Sequence, residues 1–375
     1  MPSLFIIVNE DRFFLSHRKE IAVHAIKNGY DVTVVAKDTG RITEVEALGL
    51  KTIKLPINPT GTNVLEELRT FYFLYCLYKR EKPDIVHHVG LKNILWGGLA
   101  ARFARVKGVL NAVSGLGIMF DSVNLSKLSK AILYTIRFAC NRNNVAILFQ
   151  NNEDRKLFES HRILDKCNIY FTRGSGVDLN YYNYVKPPTN DVIRVIFTAR
   201  MVEEKGVKVL IEAAELLRKD YNNKVVFLLC GDLSHNPRAI KASYIMNHCD
   251  GKYICWLGYR SDIKDLLEGS DIMCFPSYYR EGVPKSLIEA AAIGRPIVTT
   301  NSIGCKDVVI DGYNGFLVPI KNSLELANKL RVLFADANKR KIMGINSRKL
   351  AEKYFSLESV IETHMTIYKN LLYQD

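Results

Sequence analysis

Two successive doubly wound α/β units are what this 375-residue sequence predicts. Three observations carry the prediction. Short apolar runs alternate with helical stretches through most of the chain, the pattern of parallel sheets with helices on both faces. A stretch rich in tyrosine and proline, DLNYYNYVKPPTND, interrupts the alternation midway and has no periodicity of its own. The chain is also too long for one ordinary domain, and with 48% apolar residues it can bury two cores.

The elements follow in order. LFIIVN reads as a short buried strand, and a helix is expected from Ser16 to Asn28, ending at Gly29. DVTVVAK and LKTIKLPI are the next strands. An aromatic helical stretch runs from Val64 to Lys82 and stops at Pro83. DIVHHVG is a strand, followed by a small-residue helix through Gly97, Gly98, Ala100 and Ala101, then VLNAVSG. AILFQN and KCNIYFTRGSG close the first unit. The second opens with VIRVIFTAR and a helix from Val207 to Arg218. VVFLLCG, YICWLGY, a short helix after Ser261, DIMCFPS, a helix from Pro284, PIVTT and GFLVP continue it, and helices run from Leu324 to the end. The expected boundaries are a domain over 1–176, a linker over 177–191, a domain over 192–355, and a closing helix over 356–375 that is free to cross back to the first domain. Sheets of this kind bind ligands at the carboxyl ends of their strands, here in the cleft between two units.

Composition narrows the partners. A formal charge of +13 favours polyanions: nucleic acid, an anionic membrane or phosphorylated substrates. Nucleic acid explains it less well, because no such motif is present and the basic residues are not gathered in one tract. The eight cysteines are scattered without a Cys-x-x-Cys, and no His/Cys group has zinc-ligand spacing, so no metal site and a reduced, cytoplasmic setting are expected. LFIIV is too short for a signal-peptide core, and no apolar run reaches transmembrane length.

The richest segment is DIMCFPSYYREGVPKSLIEAAAIGRPIVTT. A strand ends near Pro276, a loop runs to Pro284, and a helix follows, with Pro284 suited to the first helical position. The N–H groups of Val283, Lys285 and Ser286 would then form an anion-attracting helix terminus, approached closely through Gly282. Glu281 stands just before these donors, and Glu289 about one and a half turns into the helix. Each carboxylate can accept paired hydrogen bonds from sugar hydroxyls. In TARMVEEKG, Arg200 and Lys205 flank a turn that opens a helix at about Gly206, a fork and a point charge fit for a diphosphate. Read singly, these residues are equally a capping loop with two solvated acids and two exposed basic groups.

Together, Glu281-x7-Glu289, the Arg200/Lys205 pair and GCKDVVIDGYNGFLVP (Gly304 to Pro319) resemble the signature of the retaining glycosyltransferases of family 4. FFLSHR (Phe13 to Arg18), SGLG (Ser114 to Gly117) and LGYRSDI (Leu257 to Ile263) are similar to a bacterial branch. Its members add N-acetylgalactosamine or related sugars to undecaprenyl-diphosphate-linked glycans. The resemblance implies the GT-B fold, two Rossmann-like doubly wound domains facing each other across a cleft, with acceptor bound by the first and nucleotide sugar by the second. It implies that Glu289 binds the ribose and that Glu281, Gly282, Val283, Pro284, Lys285 and Ser286 hold the donor sugar and its diphosphate. Arg200 and Lys205 would stabilise the departing diphosphate in place of a metal, and Gly258, Tyr259 and Arg260 would receive the uracil. No cofactor is expected beyond the UDP-sugar substrate.

The first domain departs from the family pattern. Asn9-Glu10-Asp11-Arg12-Phe13-Phe14 stands where relatives often have a Gly-Gly loop, and SGLG where many carry a histidine. Phe14, Ser16, His17, Arg18, Ser114, Gly115 and Gly117 are the acceptor-side candidates, while His87 and His88 end a strand and are as readily structural. LEELRTFYFLYCLYKREK, with Lys79, Arg80 and Lys82, and LSKLSKAILYTIRFACNRNN, with Lys127, Lys130, Arg137 and Arg142, read as basic amphipathic helices. Such helices fit an anionic bilayer, peripherally at the inner face of the cytoplasmic membrane, or simply the flank of the sheet. Two rival readings are a sugar-nucleotide 2-epimerase of the same fold and a non-catalytic partner of a transferase.

Overall fold

The computed structural model describes residues 1–59, 61, 63–120, 125–189, 191–233 and 239–373. It divides into two compact units, Met1–Ser175 with Glu358–Asp375, and Gly176–Leu357. The first carries strands β1 (Ser3–Glu10), β2 (Asp31–Lys37), β3 (Lys51–Lys54), β4 (Ile85–Val89), β5 (Gly108–Val113), β6 (Val145–Phe149) and β7 (Asn168–Phe171). Its helices are α1 (Asp11–His17), α2 (Lys19–Lys27), α3 (Ile42–Glu46), α4 (Val64–Glu81), α5 (Leu91–Ala104), α6 (Lys127–Cys140) and α7 (Asn152–Ser160). The strands are parallel in the order β3-β2-β1-β4-β5-β6-β7.

The second unit holds β8 (Ile193–Thr198), α8 (Val207–Tyr221), β9 (Val225–Cys230), α9 (Ala242–His248), β10 (Ile254–Gly258), α10 (Ile263–Glu268) and β11 (Ile272–Phe275). It continues with α11 (Lys285–Ile293), β12 (Ile297–Thr300), β13 (Gly315–Val318), α12 (Ser323–Ala335) and α13 (Ala337–Tyr354). Its strands are again parallel, ordered β10-β9-β8-β11-β12-β13. All thirteen strands among the described residues fall on the apolar runs read from the sequence. They read as continuous runs rather than alternations because helices cover both faces of each sheet.

A last helix, α14 (Leu357–Leu372), lays Val360, Ile367, Tyr368 and Leu371 against Leu4, Ile6, Leu110 and Ala146 of the first sheet. The 177–191 stretch belongs to the second unit. Val177 is buried there and pairs with Ser356, its N–H donating to the Phe355 carbonyl at 2.8 Å. Leu179, Tyr182 and Val185 pack on that core as well.

Three local expectations are corrected. The helix predicted from Ser16 to Asn28 is two helices, because Arg18 (φ −131°, ψ −9°) breaks the register and turns its side chain into the protein. Pro284 caps α11 rather than starting it: at ψ 125° it is still extended, and its carbonyl accepts from Leu287 N–H at 3.1 Å. Arg142, assigned to a basic surface helix, lies beyond the end of α6 with its Nε and one Nη buried. All eight cysteines are free thiols.

Candidate active site

In the second sheet the strand order reverses between β8 and β11, and the loops leaving these two strands carry the predicted donor residues. This is where an open parallel sheet leaves room for a ligand. After β8 a single turn over Glu203–Lys205 leads to Gly206, whose φ of 82° opens α8. Gly206 has no tolerable replacement: a Cβ there would meet the Pro276 carbonyl oxygen at 2.0 Å. That close approach locks the two loops side by side, and Tyr278 N–H donates to the Glu204 carbonyl at 2.9 Å.

The lock brings Lys205 onto Glu281. Lys205 Nζ lies 2.5 Å from Glu281 Oε2, with both side chains largely shielded, and stands over the rings of Phe275 and Tyr279 at 5.4 and 5.8 Å. Ser277 Oγ donates to Glu281 Oε1 at 2.8 Å, so both carboxylate oxygens are fixed. The loop after β12 closes from the other side. Thr300 Oγ1 and Ser302 Oγ donate to the Ser277 carbonyl, and a Cβ on Gly304 would meet the Gly282 carbonyl at 1.7 Å. Gly282, Val283 and Pro284 are buried beneath this contact. Lys285 and Ser286 open α11 behind the N-cap Pro284, whose side chain makes no capping hydrogen bond.

Glu289 lies farther along α11. Its Oε1 accepts from Tyr182 Oη at 3.1 Å and lies 3.8 Å from Lys285 Nζ. Burial pushes its carboxyl pKa up, against the pull of Lys285 and Tyr182. Arg200 is exposed at the end of β8, with no side-chain hydrogen bond or ion pair among the described residues. Gly258 adopts φ 65° and its carbonyl accepts from Gly231 N–H at 2.8 Å, which ties the loop after β10 to the end of β9. Tyr259 is exposed, and Arg260 forks onto Asp262, Nε donating at 2.7 Å. Sequence reading missed Ser277 and Tyr182. Ser277 could have been found from its place in the same loop, whereas nothing local marks Tyr182.

The first unit treats its candidates differently. Phe14 is fully buried in the core, and Arg18 is nearly so, hydrogen-bonding the His17 carbonyl at 2.8 Å while burial lowers its pKa to about 10. Both acceptor-side candidates thus turn into the first unit rather than toward solvent. Ser16 is exposed, and half-buried His17 stacks on Phe13 with ring centroids 4.3 Å apart. Ser114, Gly115 and Gly117 follow β5, with both glycines at positive φ. These residues leave the central strands β1 and β5 at their carboxyl ends, and Asn93 Nδ2 donates to Asn9 Oδ1 at 2.9 Å between them.

His87 and His88 are buried on β4. His88 bridges Tyr78 Oη and Asn111 Oδ1 at 3.0 and 2.8 Å, and His87 meets Tyr368 Oη at 2.8 Å. Burial lowers both pKa values, that of His88 to about 4, so both are neutral structural groups. Among the described residues no three or more His, Cys, Asp or Glu side chains gather as metal ligands.

Two doubly wound parallel sheets, the second with its candidate loops meeting at the switch point, make up the GT-B fold. Family models match in tandem, "Glycosyl transferase 4-like" over residues 4–151 and "Glycosyl transferases group 1" over 185–350, and the chain belongs to these glycosyltransferases. It is similar, at 27% identity over 91% of this chain and 94% of the relative, to the Campylobacter jejuni N,N'-diacetylbacillosaminyl-diphospho-undecaprenol alpha-1,3-N-acetylgalactosaminyltransferase. An Escherichia coli UDP-Gal:alpha-D-GlcNAc-diphosphoundecaprenol alpha-1,3-galactosyltransferase is 25% identical over 92% of this chain and 90% of its own. The Anabaena Alr3699/HepE structure, solved with UDP and glucose, shares the fold at TM-score 0.77 and 18% identity, covering 100% of both chains.

Proposed function

We propose that this glycosyltransferase moves a hexose or N-acetylhexosamine from a UDP-sugar to a polyprenyl-diphosphate-linked glycan, with retention and without a metal, in bacterial surface-polysaccharide or glycoprotein-glycan assembly. The observation that carries the reading is the Lys205–Glu281 pair at the switch point, with Glu289 on the helix behind it. In this reading Glu289 accepts from the ribose, and the start of α11 meets the diphosphate. Lys205 and Arg200 oppose the charge that develops on the leaving phosphate. The anomeric carbon–phosphate bond breaks and a bond to the acceptor hydroxyl forms on the same face, the hydroxyl proton passing to the departing phosphate oxygen. The relatives named above act on undecaprenyl-linked substrates, which supports the acceptor class.

A lipid-borne acceptor needs a chain that works at a membrane surface. No helix of the described residues is long and apolar enough to cross one. Adjacent helices α4, α5 and α6 instead expose Leu65, Leu68, Tyr72, Phe103, Leu128, Tyr134 and Phe138. Lys127 and Lys130 lie among them, and Arg102 stands 4.1 Å over the Phe138 ring. Apolar and basic groups together suit peripheral binding to the anionic inner face of a cytoplasmic membrane. The test is a panel of UDP-sugars incubated with the protein and undecaprenyl-diphosphate-linked sugars. Transfer from one or two donors is expected, and absence of both transfer and donor hydrolysis across the panel would sink the proposal.

A further inference from the structure

The stretch that looks like a linker is bonded along the helix that carries Glu289. Arg348 Nη1 donates to the Tyr182 carbonyl at 2.7 Å and to the Ala292 carbonyl of α11 at 2.8 Å, clasping strap and helix with one guanidinium. Val185 N–H donates to the Ile293 carbonyl at 3.1 Å, and Arg295 Nη2 returns to the Val185 carbonyl at 2.7 Å. Tyr184 lies against Gly294, where a Cβ would meet its ring at 2.6 Å. Anchors at Tyr182, Tyr184 and Val185 leave Tyr182 little freedom, and its hydroxyl is spent on Glu289 Oε1 at 3.1 Å.

We infer that Tyr182 is a positioning residue for nucleotide binding: by holding Oε1 it turns Glu289 so that Oε2 is presented to the ribose. Glu289 makes both of its contacts, to Tyr182 and Lys285, through Oε1, and Oε2 has no partner among the described residues. A carboxylate free to rotate would lose part of its grip on a vicinal diol, whereas one pinned at a single oxygen presents the other in a fixed direction. Tyr182 itself touches no substrate in this arrangement. Its effect is confined to the hydroxyls that Glu289 meets. The inference rests on the ribose role proposed above for Glu289.

Calorimetric titration of the full chain with UDP and with 2′,3′-dideoxy-UDP separates the two ideas. Wild type is expected to hold UDP about tenfold tighter than the dideoxy analogue, the value of one hydrogen-bonded contact to a charged group. Tyr182→Phe keeps the ring and its packing. It should weaken UDP several-fold, leave the analogue unchanged, and add nothing in a Glu289→Gln background. Equal weakening of both ligands, or a discrimination as large as wild type, would overturn the role of Tyr182 alone. If wild type itself binds the two ligands equally, or binds neither, the ribose contact falls and Tyr182 falls with it.

Discussion

The loops after β1 and β11 both leave a parallel strand at its carboxyl end, and both lead to a shielded carboxylate that is used in opposite ways. Asp11, fully buried, accepts from Arg12 N–H at 2.7 Å, Thr39 N–H at 2.8 Å and Arg41 N–H at 2.9 Å, with Thr39 Oγ1 as a fourth donor. Burial alone would raise its pKa, yet these four bonds win and hold it below the ordinary aspartate value. Glu289 has one neutral donor and a distant lysine, so burial wins and its pKa is raised. A carboxylate whose acceptor capacity is consumed by its own backbone is building a loop. One that keeps an oxygen in reserve is waiting for a ligand.

The largest effect that probes this difference is expected at Lys205. Lys205→Ala should lower kcat by roughly a thousandfold, the scale for losing one preorganised group from developing charge, while UDP affinity changes only a few-fold. If turnover persists and donor binding disappears, Lys205 is a ground-state anchor rather than a contact to the leaving group.

Asp11→Ala should act on the fold instead. Removing the acceptor strands three backbone N–H groups in the interior, at a cost of about 3 kcal/mol. Hydrogen exchange of β1 and β2 amides would register the loss, with β8 and β11 unaffected, because the two cores are separate. Normal protection with abolished turnover would move the loop after β1 from architecture to chemistry.

The same contrast explains what is legible in the amino-acid sequence. Strands were legible because each is a short apolar run bounded by turn residues, and the loops that carry Lys205 and Glu281 because glycines and a proline shape them. The burial of Phe14 and Arg18 was not legible, for a physical reason. Which way a side chain turns at a helix end is decided by partners remote in sequence, here a core that Phe14 shares with Tyr368, some 350 residues on. Tyr182 was invisible on the same ground, since its meaning lies in Glu289 and Arg348. Lys205 was legible as a charge but not as half of an ion pair, because the pairing depends on the close approach at Gly206.

The smallest effect concerns pH, where the two carboxylates should part company. Asp11, with its folded pKa depressed, stabilises the first unit above the unfolded aspartate value and loses that contribution as pH falls through its folded value. Glu289, with its folded pKa raised, runs the other way: protonation on acidification relieves a buried charge and favours the fold. Protonation would also remove the acceptor proposed above for the ribose. UDP affinity should therefore begin to fall at a pH above the ordinary glutamate value of about 4.3, by at most tenfold per pH unit, while the second unit stays folded. Titration of the phosphates affects UDP and its dideoxy analogue alike, so the ratio of their affinities isolates the carboxylate. That ratio should decline with acid in wild type and stay flat in Glu289→Gln. A ratio that holds down to the ordinary glutamate range would mean that Glu289 is already charged and solvated, and that its reserve oxygen is not the ribose acceptor.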